Sequence, residues 1–312
     1  MTAIVDAIFR LGCELRARRY HFAAVTPATH TRLLNRQRSG TSLAAIFGWN
    51  SWFQSEALDE LLFQLLDEAG QLETANGRFK SKLRFASIGD LLFAHSAFPT
   101  LEQDAVFFGP DTYRFVRAVG TALADFPRGE GEPPLLFDVG CGSGAGGIFA
   151  AQCLSRHARV VLSDVSGQAL MFSEANARLN GLPDTKIVIS DILESLDGAP
   201  DIVISNPPYL LDEKRRLYRD GGGEWGTALS VRIVEQGLQR LASGGRLILY
   251  TGSPVSEGVD RFKSEVMPVL RSYPCRFQYE EIDPDIFGEE LDTPPYANVE
   301  RIAAIVLTAV KE

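Results

Sequence analysis

Asn206-Pro207-Pro208-Tyr209 sets a carboxamide, two rigid backbone units and an aromatic ring side by side. The preceding residues, 201–205, alternate toward apolar side chains and read as a strand. Proline donates no ladder hydrogen bond and drives the residue before it into an extended conformation, so the strand stops with Asn206 held at its tip. The Asn206 side-chain oxygen and the Pro207 carbonyl can then each accept one N–H from a bound amide or amine. A planar nitrogen held that way is pressed toward a pyramidal shape, with its lone pair free to attack. Positioning and charge stabilisation of this kind lower a barrier by several kcal/mol, on the order of one oxyanion-hole donor. Tyr209 adds a flat face for a planar group or a cation.

A second cluster lies at residues 135–147, LLFDVGCGSGAGG, where an apolar strand runs into a glycine-rich turn. Glycine there permits positive φ and lets a ligand touch bare backbone. The spacing Gly142-x-Gly144-x-x-Gly147 also fits the dinucleotide fingerprint. Asp164 follows Gly140 by 24 residues at the end of the next strand. An acid there can accept two ribose hydroxyls, whether in a nicotinamide cofactor or in S-adenosylmethionine.

These residues need a sheet to hold them. Strands are expected at 135–139, 159–165, 186–192, 201–205, 246–251, 277–282 and 301–310, with helices from about 146, over 167–179, at 227–242 and near 257–270. Such alternation implies a mostly parallel sheet with helices on both faces and ligands at the carboxyl ends of the strands. No helix separates the last two strands, so they should pair antiparallel at one edge. GEGEPP, at 129–134, reads as a surface linker. Ahead of it, short helices are expected at 3–20, 26–37 and 41–53. Ser55 is the expected N-cap of a longer helix carrying Leu58, Leu61, Leu62, Leu65 and Leu66 and stopping at Gly70. Asn76-Gly77 marks a hairpin over 71–86. Helices followed by a hairpin resemble a winged-helix module, with Trp49, Trp52 and Phe53 as core residues.

The chain has 312 residues, 45% hydrophobic and 23% charged, the profile of a globular protein of one or two domains. Its first twenty residues interrupt their apolar positions with Asp6, Arg10, Glu14 and Arg16, which leaves no signal-peptide core. No later stretch is long enough to span a bilayer, and a cytoplasmic location with no membrane partner is expected. Cys13, Cys141, Cys153 and Cys275, like His21, His30, His95 and His157, lack ligand spacing, so no metal site is expected. Net charge is −9, yet residues 1–40 hold seven arginines against two acids, a net +5 that leaves −14 for the remainder. A basic end on an acidic body is a weak footprint for nucleic acid.

Taken together, DVGCGSG, Asp164, Asp191 and NPPY resemble the class I S-adenosylmethionine-dependent methyltransferases, in the branch that methylates planar nitrogens. GPDTYRF (109–115) and DGGGEWGTALSVRIV (220–234) are similar to segments of the HemK/PrmC-type protein glutamine N5-methyltransferases. The likeness runs from about residue 105 to 312. It implies a Rossmann-like, seven-stranded, mostly parallel sheet with an antiparallel edge strand over 105–312. Residues 1–104, which do not resemble the usual helical domain of that family, read from their own pattern as a mainly helical, winged-helix-like domain with a hairpin near 71–86. The likeness also implies S-adenosyl-L-methionine as methyl donor, with Gly140, Gly142 and Gly144 along its methionine and ribose side. Asp138 would order the turn or reach the methionine amino group, Asp164 hold the ribose hydroxyls, Asp191 the adenine amine, and Thr112 close over from the preceding helix. Asn206, Pro207 and Tyr209 would act on the acceptor nitrogen, with Asn206 also beside the cofactor.

The implied acceptor is an amide or amine nitrogen, in a protein glutamine or a small molecule, in a cleft beside Gly221-Gly222-Gly223, a loop free to move. NPPY is shared with RNA and DNA amino-methyltransferases, the second reading. A nicotinamide-binding reductase is the third, and it leaves NPPY unexplained. Calorimetric titration separates the third from the others: S-adenosylhomocysteine should bind and NADH should not, and the opposite pattern removes the methyl-donor reading.

Overall fold

A computed structural model of the chain describes residues 2–36, 41–127, 131–154 and 158–312. Arg38, His157 and the start of the 129–134 linker lie outside the described residues. The front region contains α1 (Thr2–Ala17), α2 (Pro27–Leu34), α3 (Glu60–Glu68) and two hairpins, β1 (Leu72–Ala75) with β2 (Arg78–Ser81) and β3 (Leu83–Ile88) with β4 (Leu91–Ser96). After α4 (Pro110–Leu123), the order is β5 (Leu135–Val139), α5 (Ala145–Cys153), β6 (Arg159–Asp164), α6 (Gly167–Leu179), β7 (Lys186–Ile189) and β8 (Ile202–Ser205). Then come α7 (Ala228–Arg240), β9 (Arg246–Ser256), the two-residue β10 (Val259–Asp260), α8 (Arg261–Ser272), β11 (Cys275–Asp283) and β12 (Arg301–Lys311).

The sheet runs β11-β12-β9-β8-β5-β6-β7, with β10 added on β9. β5 pairs parallel with both β6 and β8, while β12 runs antiparallel to β9 and β11. The expected antiparallel pair at one edge is therefore present, with β12 the strand that reverses. Leu136, Phe137, Ile202, Val203 and Ile204 are buried on both faces of the sheet, which explains their unbroken apolar run. The strand order reverses beside β5, between β6 and β8, so a crevice opens at the carboxyl ends of those strands.

The front region packs onto this sheet through α6. Val5, Ile8, Leu11 and Leu15 of α1 recur at helical spacing and share one core with Phe172, Ala175 and Leu179 of α6. Gly12 is where the two helices touch, since any side chain there would meet Leu179. Two asparagines of the same region stand in for a missing strand beside β4. Asn176 Oδ1 accepts from the Ala94 N–H at 2.8 Å and its Nδ2 donates to the Ala94 carbonyl at 2.9 Å. Asn180 repeats this with the Leu92 N–H (3.1 Å) and carbonyl (2.9 Å).

Two expectations for the front region need correcting. Residues 41–53 do not form a helix: one π turn, Ala44–Gly48, is followed by extended chain. Asn50 takes φ 58° and spends its amide on backbone, donating to the Ser81 carbonyl and accepting from the Phe98 N–H, so the helix cannot continue. Gly48 also lies flat on the Phe22 ring. The N-cap of α3 is Asp59 rather than Ser55, with its carboxylate accepting from Leu62 N–H at 3.0 Å. Ser55 instead opens a short 3-10 turn, Ser55–Ala57. The Asn76-Gly77 hairpin is as expected, both residues having positive φ as a type I′ turn requires. Phe53 is core, whereas Trp52 is half-buried with Arg78 and Lys80 over its ring. Among the described residues no helix is long and apolar enough to cross a membrane, and no three His, Cys, Asp or Glu side chains gather as a metal site.

Asn176→Ala should cost about 2–4 kcal/mol in urea unfolding, because it strands a buried N–H and two carbonyls at once. A loss below about 0.5 kcal/mol would mean that the front region does not dock on α6 in this way.

Candidate active site

The glycine-rich turn is shaped by its own backbone bonds. Gly140 (φ 66°) and Gly142 (φ 53°) occupy the left-handed region that side chains resist. Cys141 N–H donates to the Ser163 carbonyl at 2.9 Å, which pins the turn to the end of β6. Asp164 closes it from the other side, accepting from Gly142 N–H at 3.0 Å and from Ser166 N–H at 2.9 Å. Burial raises the Asp164 carboxyl above its ordinary range, against the pull of those bonds.

Two sequence candidates lie beneath this surface rather than on it. Asp138 is fully buried and accepts from Gly147 N–H at 2.7 Å, so it braces the first turn of α5 and does not line the cavity. Its carboxyl is pushed up to about 7, chiefly by burial, with Asp164 adding to the rise. Gly144 (φ 75°) is the residue before α5, and a side chain there would meet Leu162 of β6. It serves close packing of turn on strand, away from the cavity wall.

NPPY leaves the tip of β8, tied to the neighbouring strand by Ser205 Oγ donating to the Val139 carbonyl at 2.7 Å. Asn206 is partly exposed, and its amide has no hydrogen-bond partner among the described residues. Tyr209 by contrast is clamped. Its ring lies over Gly252, where any side chain would collide with it, and meets the rings of Tyr250 and Phe287 at 6.2 and 6.1 Å. Burial, then the charge of Asp111, raises the Tyr209 hydroxyl far above its ordinary value, so it stays a neutral phenol. Tyr250 donates to Asp111 at 2.6 Å, and Arg114 joins Asp111 to Asp283. Thr112, one residue on, faces the same cavity.

That cavity has a volume of about 330 Å³ and gathers Thr112, Gly140, Gly142, Asp164, Asp191, Asn206, Pro207 and Tyr209 in one wall. Asp191 is half exposed and pairs with Arg232 of α7 at 3.1 Å, which keeps its carboxylate at the rim. Gly221-Gly222-Gly223 is not a free loop. Gly221 and Gly226 press against the backbone of Tyr209 and Leu210, and Gly221 N–H donates to the Leu210 carbonyl. These glycines brace the motif from behind.

The carboxyl edge of the sheet can now be set beside known proteins. Residues 132–256 match the model of the Methyltransferase small domain family. That segment is similar to a methyltransferase domain. The chain is 32% identical over 125 residues to the release factor glutamine methyltransferase of Borreliella burgdorferi, covering 36% of this chain and 43% of that protein. It is 32% identical over 112 residues to the ribosomal RNA small subunit methyltransferase C of Actinobacillus succinogenes, covering 36% and 30%. The chain thus spans less than half the length of either relative. The crystal structure of wild-type Trm5b from Pyrococcus abyssi shares the fold at a TM-score of 0.50 and 12% identity, over 82% of this chain and 69% of that one.

Residues 132–256 also contribute wall that sequence reading passed over. The segment from Arg215 to Asp220 crosses the cavity as a strap, fastened to the front region by Leu217 N–H to the Gln103 carbonyl and Tyr218 hydroxyl to the Thr100 carbonyl. Its density of arginine and aromatic residues between NPPY and the glycines was a usable signal. Ser166 and Ser190, two residues beyond β6 and one beyond β7, and Phe287, from the β11–β12 connection, had none.

The Asp138 carboxyl generates a test with a definite sign. A carboxyl near 7 in the folded chain and near 3.8 when unfolded binds its proton more tightly when folded. Its contribution therefore favours folding below pH 4 and is lost as pH rises through 7. Asp138→Asn keeps an acceptor for Gly147 without the charge. Its melting temperature relative to wild type should rise by several degrees between pH 5 and pH 8, and a flat difference would contradict the raised carboxyl.

Proposed function

We propose that this chain transfers the methyl group of S-adenosylmethionine to a planar amide nitrogen, a glutamine side chain of a protein. The observation that carries the reading is the Asn206 amide, fixed at a strand tip on the cavity wall and unused by the protein. A positioned donor–acceptor group on a cavity wall that the chain leaves without a partner is one that a ligand can complete. The names of the relatives, release factor glutamine methyltransferases among them, supply the acceptor class.

The residues present fit the methyl donor. A Cβ built on Gly140 would point into open space within the cavity wall, so bare backbone faces the ligand there. Asp164 ends β6 with each oxygen accepting one amide and further lone pairs available to ribose hydroxyls. Asp191 stands beyond β7 for the adenine amine, and Thr112 covers from α4. When bound, the sulfonium supplies an electrophilic methyl. The chain's own contribution is to the acceptor: Asn206 Oδ1 and the Pro207 carbonyl receive its two N–H groups and free its lone pair. The Tyr209 ring, immobilised by Gly252, supports its planar face. The strap and residues 105–107 close the cavity beside these groups, and the front region, 1–104, borders only the adjoining space beyond the strap.

A nucleic-acid acceptor loses part of its support at the front of the chain, where three of the seven arginines are engaged within the fold while Arg19, Arg32 and Arg36 are exposed. Arg10 pairs with Glu68, Arg18 with Glu14 and Asp59, and Arg16 donates to Leu179 and Asn180 of α6. These cations hold the front region together and do not form an open phosphate-binding face.

Labelled S-adenosylmethionine incubated with the chain and fractionated lysate should place label in protein, as methylated glutamine after hydrolysis. Asn206→Ala should lower turnover by two to four decades while binding S-adenosylhomocysteine as wild type does. Label in methylated bases would replace the acceptor, and full activity of the variant would remove Asn206 from the mechanism.

A further inference from the structure

A second cavity of about 190 Å³ adjoins the first and shares Phe107, Arg216, Tyr218 and Arg219 with its wall. Its floor is the β3–β4 hairpin, where Arg84 and His95 are directly opposed cross-strand partners and so stand on one face. Both side chains are almost wholly buried, 4% and 1% exposed. Arg84 donates through Nε to the Gly48 carbonyl at 2.8 Å, and its Nη2 has no partner. His95 Nδ1 lies 3.1 Å from the Ser96 carbonyl, which can only accept, so Nδ1 carries the proton and Nε2 presents a bare lone pair. That Nε2 is also without a partner.

The charge pattern is equally one-sided. No carboxylate pairs with Arg84 among the described residues, and the wall of this cavity contains no Asp or Glu. Arg216 and Arg219 at its mouth are already matched by Asp212 and Glu290. A guanidinium buried without a counter-charge is strongly unfavourable, and the Phe22 ring, 5.8 Å from its central carbon, offsets only part of that cost. Burial lowers Arg84 to about 10, which leaves it charged at neutral pH.

We propose that this cavity is the subsite for a carboxylate that carries a neighbouring N–H, the carboxylate resting on Arg84 and the N–H donated to His95 Nε2. A carboxylate suits the planar fork of arginine, and a single negative charge balances the single uncompensated cation. A phosphate would bring a second charge and further oxygens against Phe98, Pro99 and Phe108, while the nearby donors of Arg216, Tyr218 and Arg219 are already engaged by Asp212, Thr100 and Glu290. The shared wall makes the subsite continuous with the cavity that holds Asn206. Resting on the methyl-transfer reading, the acceptor is then a glutamine amide in a polypeptide segment that ends nearby in a free chain-terminal carboxylate.

The test needs no methyl donor, so it stands apart from any assay of transfer. The intact chain is titrated with N-acetylglycine, with the uncharged N-acetylglycinamide and with inorganic phosphate, following heat and melting temperature. N-acetylglycine should bind saturably and raise the melting temperature, and the other two should not. Arg84→Met should weaken that binding at least tenfold while leaving the unliganded melting temperature equal to or above wild type, because it removes an uncompensated charge. The histidine ring signals of the wild-type chain should show His95 alone shifting as N-acetylglycine is added. Equal binding of the glycinamide, preference for phosphate, no response at all, or a marked loss of unliganded stability in Arg84→Met would each overturn the proposal. Binding as expected together with no methyl transfer would instead retain the subsite and discard the reaction.

Discussion

One buried carboxamide joins the three parts of this protein. Asn176 bonds both backbone groups of Ala94 in the front hairpin, and its second N–H reaches the Ser143 carbonyl in the glycine-rich turn at 2.9 Å. The side chain is 0% exposed, so nothing else can satisfy those groups. The position of the turn and the position of the front region are thereby the same variable. A wall of the cavity built from residues near 100 can meet strand tips near 140 and 206 only because α6 carries that link. Hydrogen bonds to backbone fix distance and direction more tightly than apolar contact does, which suits a surface that must hold two molecules in reacting geometry.

Charge is segregated around the cavity. Asp111, Asp138 and Asp164 lie on the sheet side, each raised above its ordinary range chiefly by burial. On the side of the hairpin and strap Arg84 is the cation without a counter-charge, since Arg216 and Arg219 are matched by Asp212 and Glu290. Such separation favours a ligand whose cationic and hydroxyl-bearing portion lies on the strand tips and whose anionic portion lies opposite. The net negative charge of the chain, −9, thus hides a local positive pole.

Most of the sheet was legible because parallel strands buried on both faces leave unbroken apolar runs, and the residues at their tips break the pattern with glycine or acid. Asp164, Asp191 and Asn206 stand at such breaks, and all three reach the cavity. Asp138 and Gly144 looked equivalent in the sequence but serve packing, since burial depth is set by α5 and β6 closing over them. In the front region, Asn50 diverted a helix-like stretch through bonds to Ser81 and Phe98, partners 31 and 48 residues away. Arg84 and His95 were silent for the same reason: their meaning comes from strand pairing, which local spacing does not encode.

The packing around Tyr209 bears on how this site can change over generations. Gly252 lies under its ring, and Gly221 and Gly226 against its backbone, with no room at any of the three for a methyl group. Substitutions there displace the motif instead of reshaping its surroundings, so drift is barred on the sheet side. The strap contains no glycine pressed against the motif, and its side chains can be exchanged while the strand tips stay put. A lineage built on this frame would acquire new acceptors by rewriting the opposite wall, keeping one chemistry and trading its clientele.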